Sequence, residues 1–287
     1  MTIALDTMGG DNAPSMVLDG AATASRQHPN VRFLLFGDEA ALAGMLAEHP
    51  RLSKNAEIRH APEVVAPDDK PSHALRRLTK SSMRLAIDSV HTGESQGVVS
   101  AGNTGALMAI SKVILKTQEG IDRPAMISYF PTIRGESSMV DLGANIECDA
   151  NNLVQFAIMG AAFARSVMGI ERPTVGLLNV GSEDLKGHEE VRAANQILKK
   201  SIFDFDYHGF VEGNNIGEGL VDVFVTDGFT GNAVLKTTEG TARMVKAYLI
   251  AAFKRSWASR LGYMLAKPAL DAFAAKLDPR HYDGAMF

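Results

Sequence analysis

Cysteine is nearly missing from this sequence of 287 residues: Cys148 is the only one, so no disulfide can form within the chain. Such low cysteine usage is typical of a reducing compartment, and we expect a cytoplasmic protein. The N-terminus, MTIALDTMGGDN, has no basic segment followed by a long apolar stretch, so it does not resemble a signal peptide. No apolar run is long enough to span a membrane.

Basic charge and nucleotide-binding motifs are also scarce. The chain has 29 Lys and Arg against 33 Asp and Glu, a formal net charge of -4, which disfavours a nucleic-acid partner. The Gly-Lys-(Ser/Thr) of a Walker loop is absent, and no Gly-x-Gly-x-x-Gly opens a helix after a strand. Nucleoside triphosphates and dinucleotides are therefore disfavoured as ligands, and we predict no cofactor and no bound metal.

Hydrophobic residues make up 46% of the chain, enough for a full core in one large domain or two intimate ones. They recur as Val/Ile/Leu-rich runs that alternate with helix-period segments, which favours a mostly parallel sheet covered by helices. The runs are IAL, VRFLLFG, GVVSAG, TVGLLNVG and VDVFVTDG. Helices are predicted over 13–27, 38–48, 72–91, 104–117, 150–168, 187–200 and 230–255. Ser72 and Asp149 are the expected caps of the third and fifth helices. No helix separates the apolar runs between 121 and 142, so we expect a hairpin or an insertion there.

Four polar, glycine-rich loops follow predicted strands: DTMGGDNAP (6–14), SAGNTGA (100–106), NVGSEDLKGHE (179–189) and TDGFTGN (226–232). In open α/β sheets, ligands bind beyond the carboxyl ends of the strands, and helix N-termini there favour anions. Two of these loops share the pattern Val-(Ser/Thr)-x-Gly-x-Thr-Gly, with Thr104 and Thr230 in equivalent places. The repeat favours a shared anion site over the alternative that each loop only caps a helix.

Lys186 lies just before a predicted helix, where a cation is unfavourable to the helix dipole unless an anion is bound. The alternative is a solvated lysine neutralised by Glu183 and Asp184. His188 could act as an acid or base, although a surface residue is favoured. Cys148 could accept an acyl group, although an inert thiol is favoured.

Aspartates stand at or just after predicted strand ends, and such carboxylates bind metals, take protons or orient loops. For most of them, hydrogen bonding to loop amides is the favoured role. They are Asp6, Asp11, Asp141 and Asp227.

Taken together, these loops resemble those of the bacterial phosphate acyltransferase family of phospholipid synthesis, and the resemblance covers essentially the whole chain. The motifs that carry it are DTMGGDNAP, PSHALR, SSM, VSAGNTGAL, DLGAN, LLNVGSEDLKG and DGFTGNAVLKTTEG. The resemblance implies transfer of a long-chain acyl group from acyl carrier protein to inorganic phosphate, which yields acyl-phosphate for a membrane acyltransferase. It also implies a homodimer and a three-layer α/β/α fold similar to that of isocitrate and isopropylmalate dehydrogenases.

The resemblance also assigns the site residues. Its catalytic candidates are Lys186, Asn103 and Asn232. The residues expected to bind substrate are Asp6, Gly9, Gly10, Ser100, Gly102, Thr104, Gly105, Asn179, Asp227, Gly228, Thr230 and Gly231. Phosphate is already a nucleophile and a thiolate can leave, so no covalent intermediate is required. We hypothesise that Lys186 and the amides of 102–105 bind phosphate, while Thr230 and Asn232 position the thioester.

The segment 243–280 is expected to form a basic amphipathic arm of the single catalytic domain, with Pro268 breaking its helix in two. It contains eight Lys and Arg against two Asp, and the only tryptophan, Trp257. Such a helix suits an anionic membrane surface or an acidic carrier protein, or it packs against the core or a dimer partner. The family usually continues beyond the YDGA motif (282–285) with a strand and a closing helix, which this sequence does not contain.

Three other functions remain open on the sequence alone. One is a metal-dependent decarboxylating dehydrogenase on a similar fold. Another is a non-catalytic, membrane-attached adaptor for acyl carrier protein. The third is a short-chain phosphate acyltransferase that uses coenzyme A.

Overall fold

The computed structural model describes residues 1–276 and 285–286, with side chains through residue 274. Residues 277–280 of the expected arm and most of the YDGA motif lie outside the described residues. The chain forms two compact units, residues 1–119 and 120–287. Both contain strands and helices in a parallel-rich arrangement, so the α/β class predicted from the alternating pattern is confirmed.

The first unit contains a four-stranded sheet in the order β3-β2-β1-β4, and every neighbouring pair is parallel. Its strands are β1 (Thr2–Asp6), β2 (Arg32–Gly37), β3 (Ala56–His60) and β4 (Gly97–Ser100). Its helices are α1 (Ser15–Gln27), α2 (Glu39–Ala47), α3 (Leu52–Asn55), α4 (Pro71–Arg77), α5 (Ser82–His91) and α6 (Thr104–Leu115). Buried Leu18, Leu35 and Leu42 pack on one another in one cluster, and Met83, Ile87 and Ile110 in another.

The single helix predicted over 72–91 is wrong, because the chain turns between α4 and α5. The backbone N–H of Ser82 donates to the Glu63 carbonyl at 3.1 Å, and that of Lys80 donates to the Glu63 carboxylate at 2.8 Å. Ser81 then caps α5 by accepting from the Arg84 N–H at 3.3 Å. The expected cap Ser72 is also wrong, since Lys70 is the N-cap of α4.

The second unit contains a six-stranded sheet in the order β10-β5-β6-β9-β7-β8. Its strands are β5 (Met126–Thr132), β6 (Gly135–Val140), β7 (Thr174–Leu178), β8 (Asp206–Val211), β9 (Val223–Val225) and β10 (Ala285–Met286). β5 and β6 form the antiparallel hairpin that was one of the two expectations for 121–142, and β10 pairs antiparallel with β5. The remaining pairs are parallel, so β6, β7 and β9 end at the same edge.

The helices of the second unit are α7 (Ala150–Val167), α8 (Glu189–Lys200), α9 (Gly213–Glu218), α10 (Gly228–Lys254) and α11 (Trp257–Lys276). Phe156 of α7 is fully buried in a cluster that includes Val140 and Leu177 from the strands. The predicted cap Asp149 is confirmed, because its side chain accepts from the Asn152 N–H at 2.8 Å. In return, the Asn152 side-chain oxygen accepts from the Asp149 N–H at 3.3 Å.

Helices α10 and α11 pack on each other, with the rings of Phe253 and Tyr263 5.4 Å apart. The expected break at Pro268 is wrong, because α11 continues through that residue. The break lies at residues 255–256 instead, where the Ser256 hydroxyl accepts from the Ser259 N–H at 3.1 Å and so caps α11. Among the described residues, no helix is long and apolar enough to cross a bilayer.

Candidate active-site loops

The first two glycine-rich loops meet at the carboxyl ends of β1 and β4, where Asp6 pairs in register with Ser100. The Asp6 side chain is 1% exposed and accepts from the Ser82 hydroxyl at 2.5 Å and the Ser100 hydroxyl at 2.7 Å. A buried carboxylate needs such donors to replace its lost hydration. Asp6 therefore holds β1, β4 and the start of α5 together, as the structural interpretation of this carboxylate predicts.

The glycines of these loops allow them to approach closely. A Cβ added at Gly9 would lie 2.6 Å from Asp6 Oδ2 and 2.9 Å from the Gly102 nitrogen, so no side chain fits there. Gly10 and Gly102 lie in the same contact: Gly10 faces Ala101, and the Gly102 N–H donates to the Ser100 hydroxyl at 3.1 Å. The two loops thus form one packed backbone layer.

Asn103 is the N-cap of α6, and its Oδ1 accepts from the Ala106 N–H at 3.0 Å. Its Nδ2 donates to the carbonyls of Pro67 and Asp69 at 3.0 and 2.9 Å. Both ends of the amide are therefore engaged in holding the 66–69 segment to the start of α6. Thr104 is exposed at the first position of that helix.

Gly105, the second residue of α6, lies against the Pro71 ring of α4. The first N–H groups of a helix have no intrahelical acceptor. The Asn103 side chain accepts from the Ala106 N–H. The backbone N–H groups of Thr104 and Gly105 therefore remain free to donate to solvent or to a ligand.

In the second unit, the fully buried Asp141 accepts four hydrogen bonds at the end of β6. The donors are the backbone N–H groups of Met126 (3.0 Å), Ala144 (3.1 Å) and Asn145 (2.6 Å) and the Asn145 side chain (2.9 Å). Asp141 therefore organises the 141–145 loop, which is the role expected for most of these aspartates.

Asp227 is the N-cap of α10 and accepts from both the backbone N–H and the hydroxyl of Thr230, at 2.8 and 2.7 Å. The Gly228 N–H donates to the Asn145 carbonyl at 2.7 Å. At Gly231 any side chain would overlap the Asp141 carbonyl, so α10 begins in direct contact with the 141–145 loop.

Asn232 is exposed on the first turn of α10, with its side chain beside Gly143. The structure thus brings Asp227, Thr230 and Asn232 together on one helix N-terminus.

Asn179 closes the loop that carries Lys186. Its side-chain NH2 donates to the carbonyls of Gly181 and Lys186, both at 3.1 Å, and its backbone N–H donates to the Val211 carbonyl at 2.8 Å. At Gly187 the backbone has a φ of +86°, and a Cβ would collide with the Asn179 amide. The assigned substrate-binding residue Asn179 therefore sets the shape of the lysine loop.

Lys186 itself is exposed, and within the described side chains no carboxylate lies within 4 Å of its ammonium. Asp184, one of the two carboxylates that the alternative interpretation paired with Lys186, pairs instead with Lys199, at 2.6 Å. Hydrogen bonds from Lys199 and Asn195 hold the pKa of Asp184 below its ordinary value. Lys186 is therefore a free cation on a braced loop.

The brace consists of residues that the sequence interpretation missed. Asn195, 1% exposed on α8, donates to Asp184 at 3.2 Å and accepts from the Tyr207 hydroxyl of β8 at 2.8 Å. The Arg192 guanidinium donates to the Leu185 carbonyl at 3.2 Å. The sequence signal that could have identified Asn195 is its place on the apolar face of a predicted helix, four residues after Val191 and three before Leu198.

His188 and Cys148 have the non-catalytic surroundings that the sequence favoured. His188 is exposed at the N-cap of α8, and its side chain makes no capping hydrogen bond. The Cys148 thiol donates to the Asn145 carbonyl at 3.5 Å. Burial raises its pKa to about 12, and the carboxylates of Asp141 and Asp227 add to the effect. Such a thiol is a poor nucleophile at neutral pH.

Asp11 is exposed in the turn after β1. In the described part of the chain, no group of three or more His, Cys, Asp or Glu side chains is placed to hold a metal ion.

The family described as fatty acid synthesis protein matches residues 1–287. The chain belongs to this family. A phosphate acyltransferase from Rhodospirillum centenum is 56% identical over 99% of this chain and 80% of its own length. One from Rhodospirillum rubrum is 54% identical over 100% of this chain and 82% of its own length. The family resemblance inferred from the motifs is therefore confirmed.

Solved structures resemble this member of the family in fold. A phosphotransacetylase from Staphylococcus aureus has a TM-score of 0.60 at 20% identity, covering 84% of this chain and 82% of that one. A phosphotransacetylase from Streptococcus pyogenes has a TM-score of 0.62 at 16% identity, covering 85% and 82%. At such identities the likeness shows the fold alone.

Proposed function

We propose that this chain transfers a long-chain fatty acyl group from acyl carrier protein to inorganic phosphate, giving acyl-phosphate for phospholipid synthesis. As a member of its family, the chain is an enzyme, a phosphate acyltransferase. The observation that carries the proposal is the match at 50–56% identity to phosphate acyltransferases over essentially the whole chain. The choice of acyl carrier protein as donor is supported by the family's role in fatty acid synthesis.

The reaction requires positioning and charge stabilisation more than a protein nucleophile. A phosphate oxygen attacks the thioester carbonyl carbon, and the carbonyl oxygen gains negative charge in the tetrahedral intermediate. The carbon–sulfur bond then breaks, and the carrier thiolate leaves and takes up a proton. Fixed hydrogen-bond donors at the developing oxyanion lower this barrier by several kcal/mol in suitable sites. The protonated, hydrogen-bonded thiol of Cys148 fits a mechanism without an acyl-enzyme.

Lys186 is the proposed phosphate ligand in the second unit. Its ammonium has no carboxylate partner among the described side chains, so no ion pair must break before an anion binds. The loop beneath it is closed by Asn179 and braced by Asp184, which limits the entropy lost when phosphate binds.

In the first unit, the amides of 102–105 are proposed to bind phosphate, together with Ser100 and the glycines of the 6–14 loop. Asn103 keeps its proposed catalytic assignment, and we infer that it contributes by shaping this helix start, since its own amide is fully engaged. Thr104 adds an exposed hydroxyl at the same place.

Thr230 and Asn232 are proposed to position the thioester, with Asp227, Gly228 and Gly231 forming the helix start that carries them. The exposed amide of Asn232 is the donor we assign to the developing oxyanion. The Thr230 hydroxyl donates to Asp227, so its oxygen can still accept a hydrogen bond from the carrier group that bears the thioester.

The test of the function is direct. Purified protein is incubated with palmitoyl-acyl carrier protein and labelled inorganic phosphate, and acyl-phosphate and free carrier thiol are followed together. We expect equal amounts of both products, formed only when phosphate is present. Thiol release without acyl-phosphate would mean hydrolysis, and carrier binding without either product would favour the adaptor role.

Replacing Lys186 by Ala tests the site assignment. A hydrogen bond to a charged group contributes about 1.5–3 kcal/mol, so we expect kcat/KM for phosphate to fall by roughly 10- to 100-fold. The matched control is Lys200→Ala, an exposed lysine at the end of α8, which should leave the phosphate kinetics unchanged. Equal kinetics for the Lys186 variant and its control would remove Lys186 from the site.

The finer features of the family remain proposals for this chain. We propose a single catalytic domain over residues 1–287, a fold of the isocitrate dehydrogenase type and a homodimer. We also propose a cytoplasmic enzyme that associates peripherally with the membrane through a helical arm formed by α10 and α11. The arm proposal is supported by its exposed apolar side chains, among which Trp257 and Leu265 are each 80% exposed.

A further inference from the structure

A second basic surface lies on α4 and the turn that follows it. Residues 70–84 contain five Lys and Arg and no Asp or Glu, in a chain whose net charge is -4. Four of the five are exposed: Lys70, Arg76, Arg77 and Lys80. We refer to these four residues as the α4 basic surface.

The charges of the α4 basic surface are not neutralised by ion pairs. In the described part of the chain, no carboxylate lies within 4 Å of any of its four cationic groups. The nearest acidic side chains in sequence are engaged otherwise: Glu63 accepts from the Lys80 backbone N–H, and Asp69 accepts from the Ala66 N–H and faces His73. Asp68 is exposed in the preceding turn. The surface therefore presents a local excess of positive charge.

The large apolar side chains of residues 70–84 face inwards, which argues against a membrane contact. Leu75 and Leu78 pack against a buried cluster that includes Ala74 and Ile110, and no large apolar side chain of residues 70–84 is exposed. A helix that binds a membrane inserts apolar side chains into it. Aromatic residues that stack on nucleic-acid bases are also absent from this stretch. A surface that presents positive charge but no exposed large apolar side chain fits a partner with an acidic protein surface.

The α4 basic surface is tied directly to the loop proposed to hold phosphate. The Asn103 side chain donates to the carbonyls of Pro67 and Asp69 just before α4. The Pro71 ring at the first position of α4 contacts Gly105 at the start of α6. A protein that docks on α4 is therefore held at the border of the 102–105 loop.

We propose that α4 is the docking surface for the acidic acyl carrier protein that donates the acyl group. This inference rests on the proposed function, and it locates the carrier on the first unit rather than on the basic arm. Complementary charge at the rim of a site speeds encounter and orients the partner, while the thioester is held by the loops themselves. Arg77, the last residue of α4, and Lys80, in the turn that follows, are its central contacts.

The test compares two double charge reversals with the same spacing. Arg77→Glu with Lys80→Glu alters the docking surface, and Arg51→Glu with Lys54→Glu alters two exposed cations in the same unit, the N-cap of α3 and a residue within that helix. The Kd for palmitoyl-acyl carrier protein is measured by calorimetry at low salt, after unfolding curves show that both variants are folded. We expect about tenfold or greater weakening for the first pair and less than about twofold for the second.

Each outcome separates the inference from the proposed function. Acyl-phosphate formation by the unaltered protein tests the function, whatever the variants do. Equal carrier affinity for the two variants would overturn docking on α4 and leave the function intact. Loss of binding to anionic vesicles with unchanged carrier affinity would also overturn it. If the first variant fails to fold, Arg77→Gln with Lys80→Gln replaces it, with an expected loss of about threefold or more.

Discussion

At the scale of single residues, the buried carboxylates of the motif loops hold neighbouring segments in place. Asp6 accepts from two serine hydroxyls, and Asp141 accepts from three backbone N–H groups and an asparagine side chain. Removing one partner of such a buried group leaves the other uncompensated, at a cost of about 1–3 kcal/mol. Lys186, by contrast, is exposed and has no carboxylate within 4 Å among the described side chains, so it is free to meet an anionic substrate.

Cys148 should be protonated and slow to react. Its pKa is raised to about 12 from an ordinary 9.0, so the thiolate fraction at pH 8 falls by about a thousandfold. We therefore expect iodoacetamide to alkylate Cys148 in the folded protein far more slowly than in urea, with the folded-state rate rising as the pH rises towards 12. Equal rates with and without urea at pH 8 would contradict this view of the thiol.

The residue scale also shows what a sequence can and cannot reveal about a site. Thr104, Lys186 and Thr230 were identified because each lies beside glycine in a loop after an apolar run. Asn195 and Tyr207 were missed because they lie outside every motif and reach Asp184 only through tertiary packing. Sequence patterns locate the loops, whereas the side chains that hold a loop in shape come from other helices and strands.

At the scale of elements, every internal strand of the two sheets was predicted, together with the edge strand β4, whose GVVS sequence is part of an apolar run. The missed strands β3, β8 and β10 all lie at sheet edges. β3, with the sequence AEIRH, is fully buried at none of its positions, and β8 is buried only in its second half. An edge strand has one unpaired side and needs no continuous apolar run, so hydrophobic pattern alone does not reveal an edge strand that lacks one.

The packed layer formed by the first two glycine loops should be intolerant of one added methyl group. Gly9→Ala places its Cβ 2.6 Å from Asp6 Oδ2, and we expect it to lower the free energy of unfolding by about 1–3 kcal/mol. Gly20→Ala is the control, because α1 has open space at that position and alanine favours a helix by up to about 1 kcal/mol. Urea unfolding of both variants measures the contrast, and equal midpoints would contradict close packing at Gly9.

The α10–α11 pair should supply the membrane contact of the proposed arm. Leu261 and Leu265 are 48% and 80% exposed and lie one helical turn apart on α11. We expect Leu261→Asp with Leu265→Asp to abolish cosedimentation with anionic vesicles and to leave acyl-phosphate formation in solution intact. The control is Ile202→Asp, a fully exposed apolar residue outside the arm, which should bind vesicles normally. Vesicle binding that survives the double change would argue against the arm as an anchor.

At the scale of the whole molecule, charge is distributed unevenly. The stretches 70–84 and 243–280 contain thirteen of the 29 Lys and Arg but only two of the 33 Asp and Glu. The remaining residues therefore carry 16 basic side chains against 31 acidic ones. An acidic carrier protein is repelled by most of this chain and attracted by the two basic stretches, so its approach should depend on ionic strength.

The salt dependence of turnover follows from that distribution. Exposed charges are screened over about 10 Å at 0.1 M salt and about 3 Å at 1 M. We expect kcat/KM for palmitoyl-acyl carrier protein to fall on the order of tenfold between these two conditions, because encounter is charge-steered. At saturating carrier, kcat should change much less, since the chemical step uses groups on braced loops. A parallel fall of kcat and kcat/KM would instead place the salt-sensitive interaction at the bound phosphate, and a Lys186→Ala variant with the same salt profile would exclude that lysine as its source.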